Sequence, residues 1–412
     1  MLITDLGSSA APVSIVLGLR YLMAPISVWV GVRSDARPVL GLRRLPYIWL
    51  GRMFMLVAIV LLPVCTLRLA TDVNDPVGWL LAAALFIFYG LGTAVSGGPF
   101  LALMHDCTPP ARRGLAASIA QTLFIAGFAL FGSLFGLLLR SYSAERLQSL
   151  ALATGIGAGA VWLLSVLGEE RPLPPGPVET TAPADLGLRD TLRRMWADPR
   201  ARAFFFFLAL GAIAAFAQDA VLEPFGGDVF GLTVEETTRF SSYWGAGILV
   251  AMIVTAIATR RRRPEEQVRP ATIGLGVMIV GLALLTLSGL TAMRELVIPS
   301  LTVFGLGFGA YTIGGFSLIM AFTASQQAGS YLGLWTMTQL IARGIGIGLG
   351  GVVRDVALSL TGSPALSYAS VFILEAIGLG ACIVLLARLD AAGFAREHRA
   401  EVGAPPLAAI AD

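Results

Sequence analysis

The stretch VGWLLAAALFIFYGLGTAVSGGPFLALM, from Val77 to Met104, holds no charged residue and is longer than the about 20 apolar residues a helix needs to cross a bilayer. Hydrocarbon offers no partner to an exposed N–H or C=O, so such a run has to be helical. Outward from it, comparable runs lie at Pro12 to Val32, Pro46 to Leu69, Gly114 to Leu139 and Leu147 to Leu167. Six more follow at Ala203 to Leu222, Arg239 to Ala258, Ala271 to Met293, Leu296 to Phe322, Gly329 to Val353 and Tyr368 to Leu389. The 412-residue chain is 56% hydrophobic and 13% charged, against roughly a quarter charged in a soluble domain. An all-α membrane protein with eleven transmembrane helices is predicted.

Arginine gathers in alternate loops: Arg33, Arg37, Arg43 and Arg44; Arg112 and Arg113; Arg189, Arg193, Arg194, Arg200 and Arg202; Arg260 to Arg263; Arg388, Arg396 and Arg399. The positive-inside bias places these in the cytoplasm, with Met1 periplasmic and the C-terminus cytoplasmic. Residues 169–202 change to a proline-rich then basic composition, read as a cytoplasmic linker between an N-terminal bundle of five helices (1–168) and a C-terminal bundle of six (203–389), with a tail at 390–412. Sliding one half on the other sets Met104 opposite Met320 and leaves the Ala203 helix without a counterpart. A twelve-helix plan of two pseudo-symmetric bundles lacking its first helix is the expectation, such repeats being common in transporters.

Several function classes find no support. A net charge of +3, with every basic residue an arginine, leaves no nucleic-acid footprint. The three cysteines, Cys65, Cys107 and Cys382, are far apart, so neither a disulfide nor a metal cluster is expected. No cleavable signal is evident. Gly305-Leu-Gly-Phe-Gly309, with Gly314 and Gly315 beyond, imitates a nucleotide loop but lies inside an apolar run with no preceding strand. Close helix packing through small residues is the better reading. No catalytic triad or zinc spacing is visible, so the chain is not expected to be an enzyme.

Gln218, Asp219 and Glu223, followed by Pro224, Gly226 and Gly227, form the densest polar group of the second half. Asp219 and Glu223 are four apart and would share one helix face. Acids at membrane depth mark a ligand or proton site by default, the alternative being that Asp219 pairs with an arginine on another helix while Glu223 sits at the interface. Arg343 and Glu375 lie deep in successive runs, where mutual neutralisation is set against a substrate role. Arg52, near a helix end, is expected to snorkel. His105 and Asp106 close the third run; an imidazole ligand and a salt-bridged helix end are the two readings of that site.

Two motifs carry a resemblance. The loop Gly31-Val-Arg-Ser-Asp35 with Gly41-Leu-Arg-Arg-Leu-Pro-Tyr-Ile-Trp-Leu-Gly51 resembles that of major facilitator transporters in the form used by the PucC/LhaA-type bacteriochlorophyll-delivery family. Ala215-Phe-Ala-Gln-Asp-Ala-Val-Leu-Glu-Pro-Phe-Gly-Gly227, continuing to Leu232-Thr-Val-Glu-Glu-Thr-Thr238, resembles that family's most distinctive stretch. The resemblance covers nearly the whole chain. It implies a major facilitator fold that assists assembly of light-harvesting complexes by binding bacteriochlorophyll and delivering it to antenna polypeptides. Gly31, Asp35, Arg43, Arg44, Pro46 and Tyr47 match the first motif, and Gln218, Asp219, Glu223, Pro224, Gly226 and Gly227 the second. Departures are His105, where an apolar or hydroxyl residue is more usual, and the missing first helix. The expected cofactor is none covalent, with a transient bacteriochlorophyll or other tetrapyrrole. Expected partners are light-harvesting polypeptides, reaction-centre or pigment-synthesis proteins and the lipid bilayer, in the bacterial inner (intracytoplasmic) membrane. The competing readings are a proton-coupled exporter of a small amphipathic molecule and a non-transporting scaffold for antenna assembly.

Overall fold

The computed structural model describes residue 3 and residues 8–36, 39, 41–109, 113–138, 144–170, 199–259, 268–322 and 328–388. Helices account for nearly all of them: α1 (Ala10–Leu19), α2 (Ala24–Ala36), α3 (Leu45–Thr71), α4 (Pro76–Cys107), α5 (Arg113–Leu138), α6 (Ala144–Val166), α7 (Pro199–Phe216), α8 (Leu222–Phe230), α9 (Val234–Thr238), α10 (Phe240–Thr259), α11 (Val268–Thr291), α12 (Val297–Phe322), α13 (Ala328–Thr361) and α14 (Pro364–Arg388). Ten stretches among the described residues are long and apolar enough to cross a membrane, and the chain is a multi-pass membrane protein. The run at Gly114 coincides with α5, several of whose side chains lie outside the described residues, as do most of 169–202, the Arg260 to Arg263 loop and the tail.

Two of the runs are not continuous helices, and proline explains both. Between α1 and α2 the backbone tightens to a 3-10 turn at Arg20–Met23, where the Ala24 N–H reaches Tyr21 O. Pro25 has no N–H to give that carbonyl from four residues on. The Ala203 run breaks likewise at Ala217–Ala220, after α7 and before α8. There Pro224 cannot serve the Ala220 carbonyl, and the Val221 N–H bonds Gln218 O at 2.9 Å. Downstream, α8 stops at Gly231 with φ of 65°, a left-handed position that glycine adopts without strain. Thr233 then starts α9 through a capping box: its hydroxyl accepts from the Glu236 N–H, and the Glu236 carboxylate accepts from the Thr233 N–H. Conversely, α13 continues to Thr361 rather than ending near Val353, because the charges of Arg354 and Asp355 are paired within the fold.

The helices before residue 170 and those after 199 pack in matching patterns. In the first set α3 lies against α4 and α6, and α2 against α4; in the second α11 lies against α12 and α14, and α10 against α12. Among the described residues α7 has no counterpart in the first set. Between the sets, α1 packs on α13 and α5 on α10. These contacts are made through small residues. A Cβ on Gly18 would fall 2.6 Å from Gly344 O, and one on Gly351 2.3 Å from Ser14 Oγ. Within the second set the glycines at 305, 307 and 309 do the same: added Cβ atoms would lie 2.2 to 2.5 Å from the backbone of Trp244, Met278 and Ile248. Helix packing therefore accounts for the glycine-rich segment.

Hydrogen bonds link the two sets where Ala10 and Ala11 meet Asp355 and where Ser133 meets Ser242. All lie at the end opposite the arginine-rich loops, so the sets are closed against each other there.

At the arginine-rich end, Glu170 beyond α6 accepts the N–H groups of Arg43, Arg44 and Leu45, at 2.6 to 3.0 Å. It caps α3, whose first turn contains Pro46. Glu170→Ala is expected to lower stability by about 1–2 kcal/mol, read by thermal unfolding of the purified protein; an unchanged midpoint would remove the cap from the account.

Candidate functional site

The second break brings the site together. Because the helix is interrupted at Ala217–Ala220, Asp219 lies in the 3-10 turn and Glu223 in the first turn of α8. The two acids are therefore not one step apart along a continuous helix. Asp219 is paired: Arg343 Nη2 of α13 donates to its carboxylate at 2.8 Å, and the two side chains keep 26% and 23% of their surface exposed. That exposure leaves the ion pair accessible at membrane depth. Glu223 is exposed and makes no hydrogen bond or ion pair among the described residues.

Arg343 does not neutralise Glu375. The Glu375 carboxylate, 2% exposed, accepts the Gln218 N–H at 2.5 Å. The interruption freed that N–H from the helix ladder, so the buried acid repairs the break. The second oxygen of Glu375 and the side-chain oxygen of Gln218 are both buried without a hydrogen-bond partner. Glu375→Leu would strand the Gln218 N–H and is expected to lower stability by about 1–3 kcal/mol. Glu375→Gln, which keeps an acceptor, should cost clearly less, and equal unfolding midpoints for the two variants would refute the repair role.

Aromatic rings surround the pair. The Arg343 guanidinium stands 4.1 Å from the Phe216 ring centroid and 5.1 Å from that of Tyr21 in the first break. Phe216 continues edge-on into Phe308 at 5.4 Å, and Phe308 into Trp244 at 5.9 Å. All four aromatics are half-buried. Polar groups with ring faces beside them suit a flat, mostly apolar guest.

A residue not singled out from the sequence joins this group. Arg20, in the first 3-10 turn, donates to the Tyr21 hydroxyl at 2.8 Å and sits 4.6 Å from its ring centroid. The signal was present, since Arg20 is the only charge in the run from Pro12 to Val32. A second cluster was also missed. Buried Arg354 donates to Asp228 and to Asp355, each at 2.9 Å, while the Tyr368 hydroxyl donates to Asp228 at 2.5 Å. Asp355 accepts the Ala10 and Ala11 N–H groups at 3.0 and 2.7 Å. It caps a helix of the other set, where Ser9 supplies no side-chain cap.

The remaining sequence candidates serve the scaffold. Arg44 donates to Ser34 at 2.9 Å and faces Asp106 at 3.4 Å, tying the ends of α2, α3 and α4. Arg43 contributes its N–H to Glu170. Gly31 lies on α2 with nothing within 4 Å of an added Cβ, and Pro46 and Tyr47 lie in the first turn of α3. The backbones of Asp35 and His105 are helical, but their side chains lie outside the described residues. Pro224 lies in the first turn of α8; Gly226 lets Thr237 and Phe240 approach to 2.7 and 2.9 Å of an added Cβ, and Gly227 O accepts the Gly231 N–H. Arg52 lies 5.7 Å from the Phe100 ring centroid and 5.1 Å from that of Trp162, a cation–π contact with both. Cys65 and Cys382 are buried, Cys107 is exposed, and all are free.

Comparison with solved structures defines the class. The chain is similar to a mutant form of the nucleoside transporter NupG, with a TM-score of 0.66 at 13% identity over 94% of this chain and 93% of that one. It is similar as well to the D-xylose-proton symporter, with a TM-score of 0.66 at 15% identity over 92% and 89%. The fold is that of the major facilitator transporters. Residues 1–394 match the family model described as PUCC protein, and the chain belongs to the PucC family. Among curated relatives, the "Bacteriochlorophyll synthase 44.5 kDa chain" of Rhodobacter capsulatus is 32% identical over 86% of this chain and 82% of its own. "Protein PucC" of the same organism is 26% identical over 92% and 84%.

Proposed function

We propose that this protein is an assembly factor for photosynthetic light-harvesting complexes that binds bacteriochlorophyll transiently and delivers it to antenna polypeptides. The observation that carries the reading is the polar cluster of Asp219, Arg343 and Gln218, set between ring faces at the interruption of a membrane helix with its ion pair a quarter exposed. Flat aromatic surface suits the macrocycle, and the exposed carboxylate of Glu223 is an oxygen ligand of the type a magnesium centre takes. The names of the relatives, which refer to bacteriochlorophyll and to PucC, point the same way. In this reading the arginine-rich loops face the cytoplasm of the inner membrane and the Asp355 cap closes the periplasmic end. Reaction-centre or pigment-synthesis proteins are further partners. The test is purification of the full chain in mild detergent from a pigment-producing host. Tetrapyrrole absorbance and antenna polypeptides are expected to travel with it, and a colourless preparation that captures no antenna polypeptide would overturn the proposal.

One observation favours a second reading. Glu375 is a buried acid whose second oxygen has no partner and which faces no guanidinium among the described residues, an arrangement suited to carrying a proton in a proton-coupled exporter. Its test is uptake of an amphipathic pigment precursor into sealed vesicles. Flux driven by a pH gradient supports it, and flux indifferent to the gradient rules it out.

A further inference from the structure

We infer that Arg52 and Trp162 bind the phosphate of an anionic phospholipid, in the leaflet at the arginine-rich end of the molecule. The inference stands apart from the pigment-binding reading and does not rest on it.

Arg52 is seven residues inside α3, about 10 Å of helix rise from the end that carries Arg43 and Arg44. Trp162 lies four residues before the end of α6 and Phe100 seven before the end of α4. The contacts of Arg44 with Asp106 and of Arg43 with Glu170 hold those ends beside the start of α3, so the three side chains share one level of the membrane. It is the level at which a tryptophan and a long basic side chain meet the headgroups.

The ring contacts of Arg52 with Phe100 and Trp162 supply no oxygen to its N–H groups. Arg52 makes no hydrogen bond or ion pair among the described residues, and the helices packed around it bring no acid to it. Helix α3 has none; the acid of α4 is Asp106, which faces Arg44 at 3.4 Å; the acid of α6 is Glu145, near the opposite end of that helix. The titratable group within electrostatic reach of Arg52 is the neutral phenol of Tyr89. A half-buried guanidinium at this depth calls for an anion.

A phosphodiester meets that need, because two of its oxygens match the guanidinium fork. The Trp162 indole N–H, also without a hydrogen-bond partner among the described residues, is a second donor. Inorganic phosphate offers the same oxygens, but the exposed Met53, Leu163 and Leu164 beside the two residues give acyl chains a surface to lie on, which favours a lipid. One uncompensated positive charge selects a lipid of net negative charge over a zwitterionic one.

The experiment titrates the delipidated full-length protein in detergent with dioctanoyl phosphatidylglycerol, dioctanoyl phosphatidylcholine and inorganic phosphate, reading bound molecules by native mass spectrometry. Phosphatidylglycerol is expected to bind about fivefold more tightly than phosphatidylcholine, or better. Arg52→Gln should remove that preference and Arg52→Lys should keep part of it. Trp162→Phe, which retains a ring and loses the N–H, should weaken the anionic lipid to a smaller extent. Arg68→Gln, at the other end of α3, should leave the preference intact, which separates a local site from general charge attraction. Matching unfolding midpoints of the variants without lipid separate binding from folding. Equal affinities for the two lipids in the unaltered protein, or a preference that survives Arg52→Gln, would overturn the site. Inorganic phosphate binding as tightly as phosphatidylglycerol, and lost with Arg52→Gln, would overturn its assignment to a lipid.

Discussion

Arg343→Leu is expected to lower the stability of the purified protein by about 3–5 kcal/mol, the range found when one partner of a buried ion pair is removed. The variant leaves Asp219 charged at membrane depth with its 2.8 Å partner gone, and it strips the cation from the faces of Phe216 and Tyr21. The quarter exposure of both side chains sets the expected value toward the lower end of that range. Asp219→Leu combined with Arg343→Leu removes both charges and should be more stable than Arg343→Leu alone, because no uncompensated carboxylate remains. Thermal unfolding in detergent reads all three. Additive losses, with the double variant the least stable, would show that the two side chains do not act as a pair.

Gly351→Leu acts elsewhere, on the contact between the two helix sets. An added Cβ at this position would fall 2.3 Å from Ser14 Oγ and 2.6 Å from the Ala10 carbonyl oxygen, and a leucine needs far more room than its Cβ. The neighbouring Asp355 cap on Ala10 and Ala11 depends on the same close approach. Overpacking of this kind costs about 1–3 kcal/mol, charged wholly to the closed arrangement, which amounts to a shift of roughly 5- to 150-fold toward separation of the sets at that end. Ile15→Cys with Gly348→Cys reports it, since Ile15 Cα lies 3.9 Å from where a Cβ on residue 348 would stand. The pair should cross-link readily in the parent chain, with exposed Cys107 replaced by serine, and the yield should drop with Gly351→Leu. Undiminished cross-linking would mean that the closed end tolerates the leucine.

The helical membrane architecture was legible because lipid leaves an uninterrupted apolar run such as Val77 to Met104 a single way to satisfy its backbone. The two interruptions were harder to read. Pro25 and Pro224 were visible, but a proline signals equally a helix start, and only the packed structure shows the 3-10 turns upstream of them. That Asp219 pairs with an arginine on another helix was one of the two readings of the sequence, and the structure bears it out; which arginine was not legible. Asp219, Arg343 and Glu375 are separated by more than a hundred residues in one case and by a few tens in the other, and which two meet depends on how α7, α13 and α14 cross. Sequence spacing set Arg343 against Glu375; the fold instead joins Arg343 to Asp219 and gives Glu375 the N–H released by the broken helix. Arg20 was overlooked because an isolated arginine in an apolar run reads as a tolerated defect until its hydrogen bond to Tyr21, whose ring also faces Arg343, is seen.

The most direct test of the account replaces the central ion pair by a neutral pair of similar shape, Asp219→Asn with Arg343→Gln, and compares tetrapyrrole absorbance per protein after identical purification from a pigment-producing host. An amide pair preserves a hydrogen bond between the two positions and removes both charges, so the fold is expected to persist with a comparable unfolding midpoint. Pigment content should fall several-fold if the charged cluster is where the guest is held. Full pigment content in this variant would contradict the account and place any pigment site elsewhere on the protein.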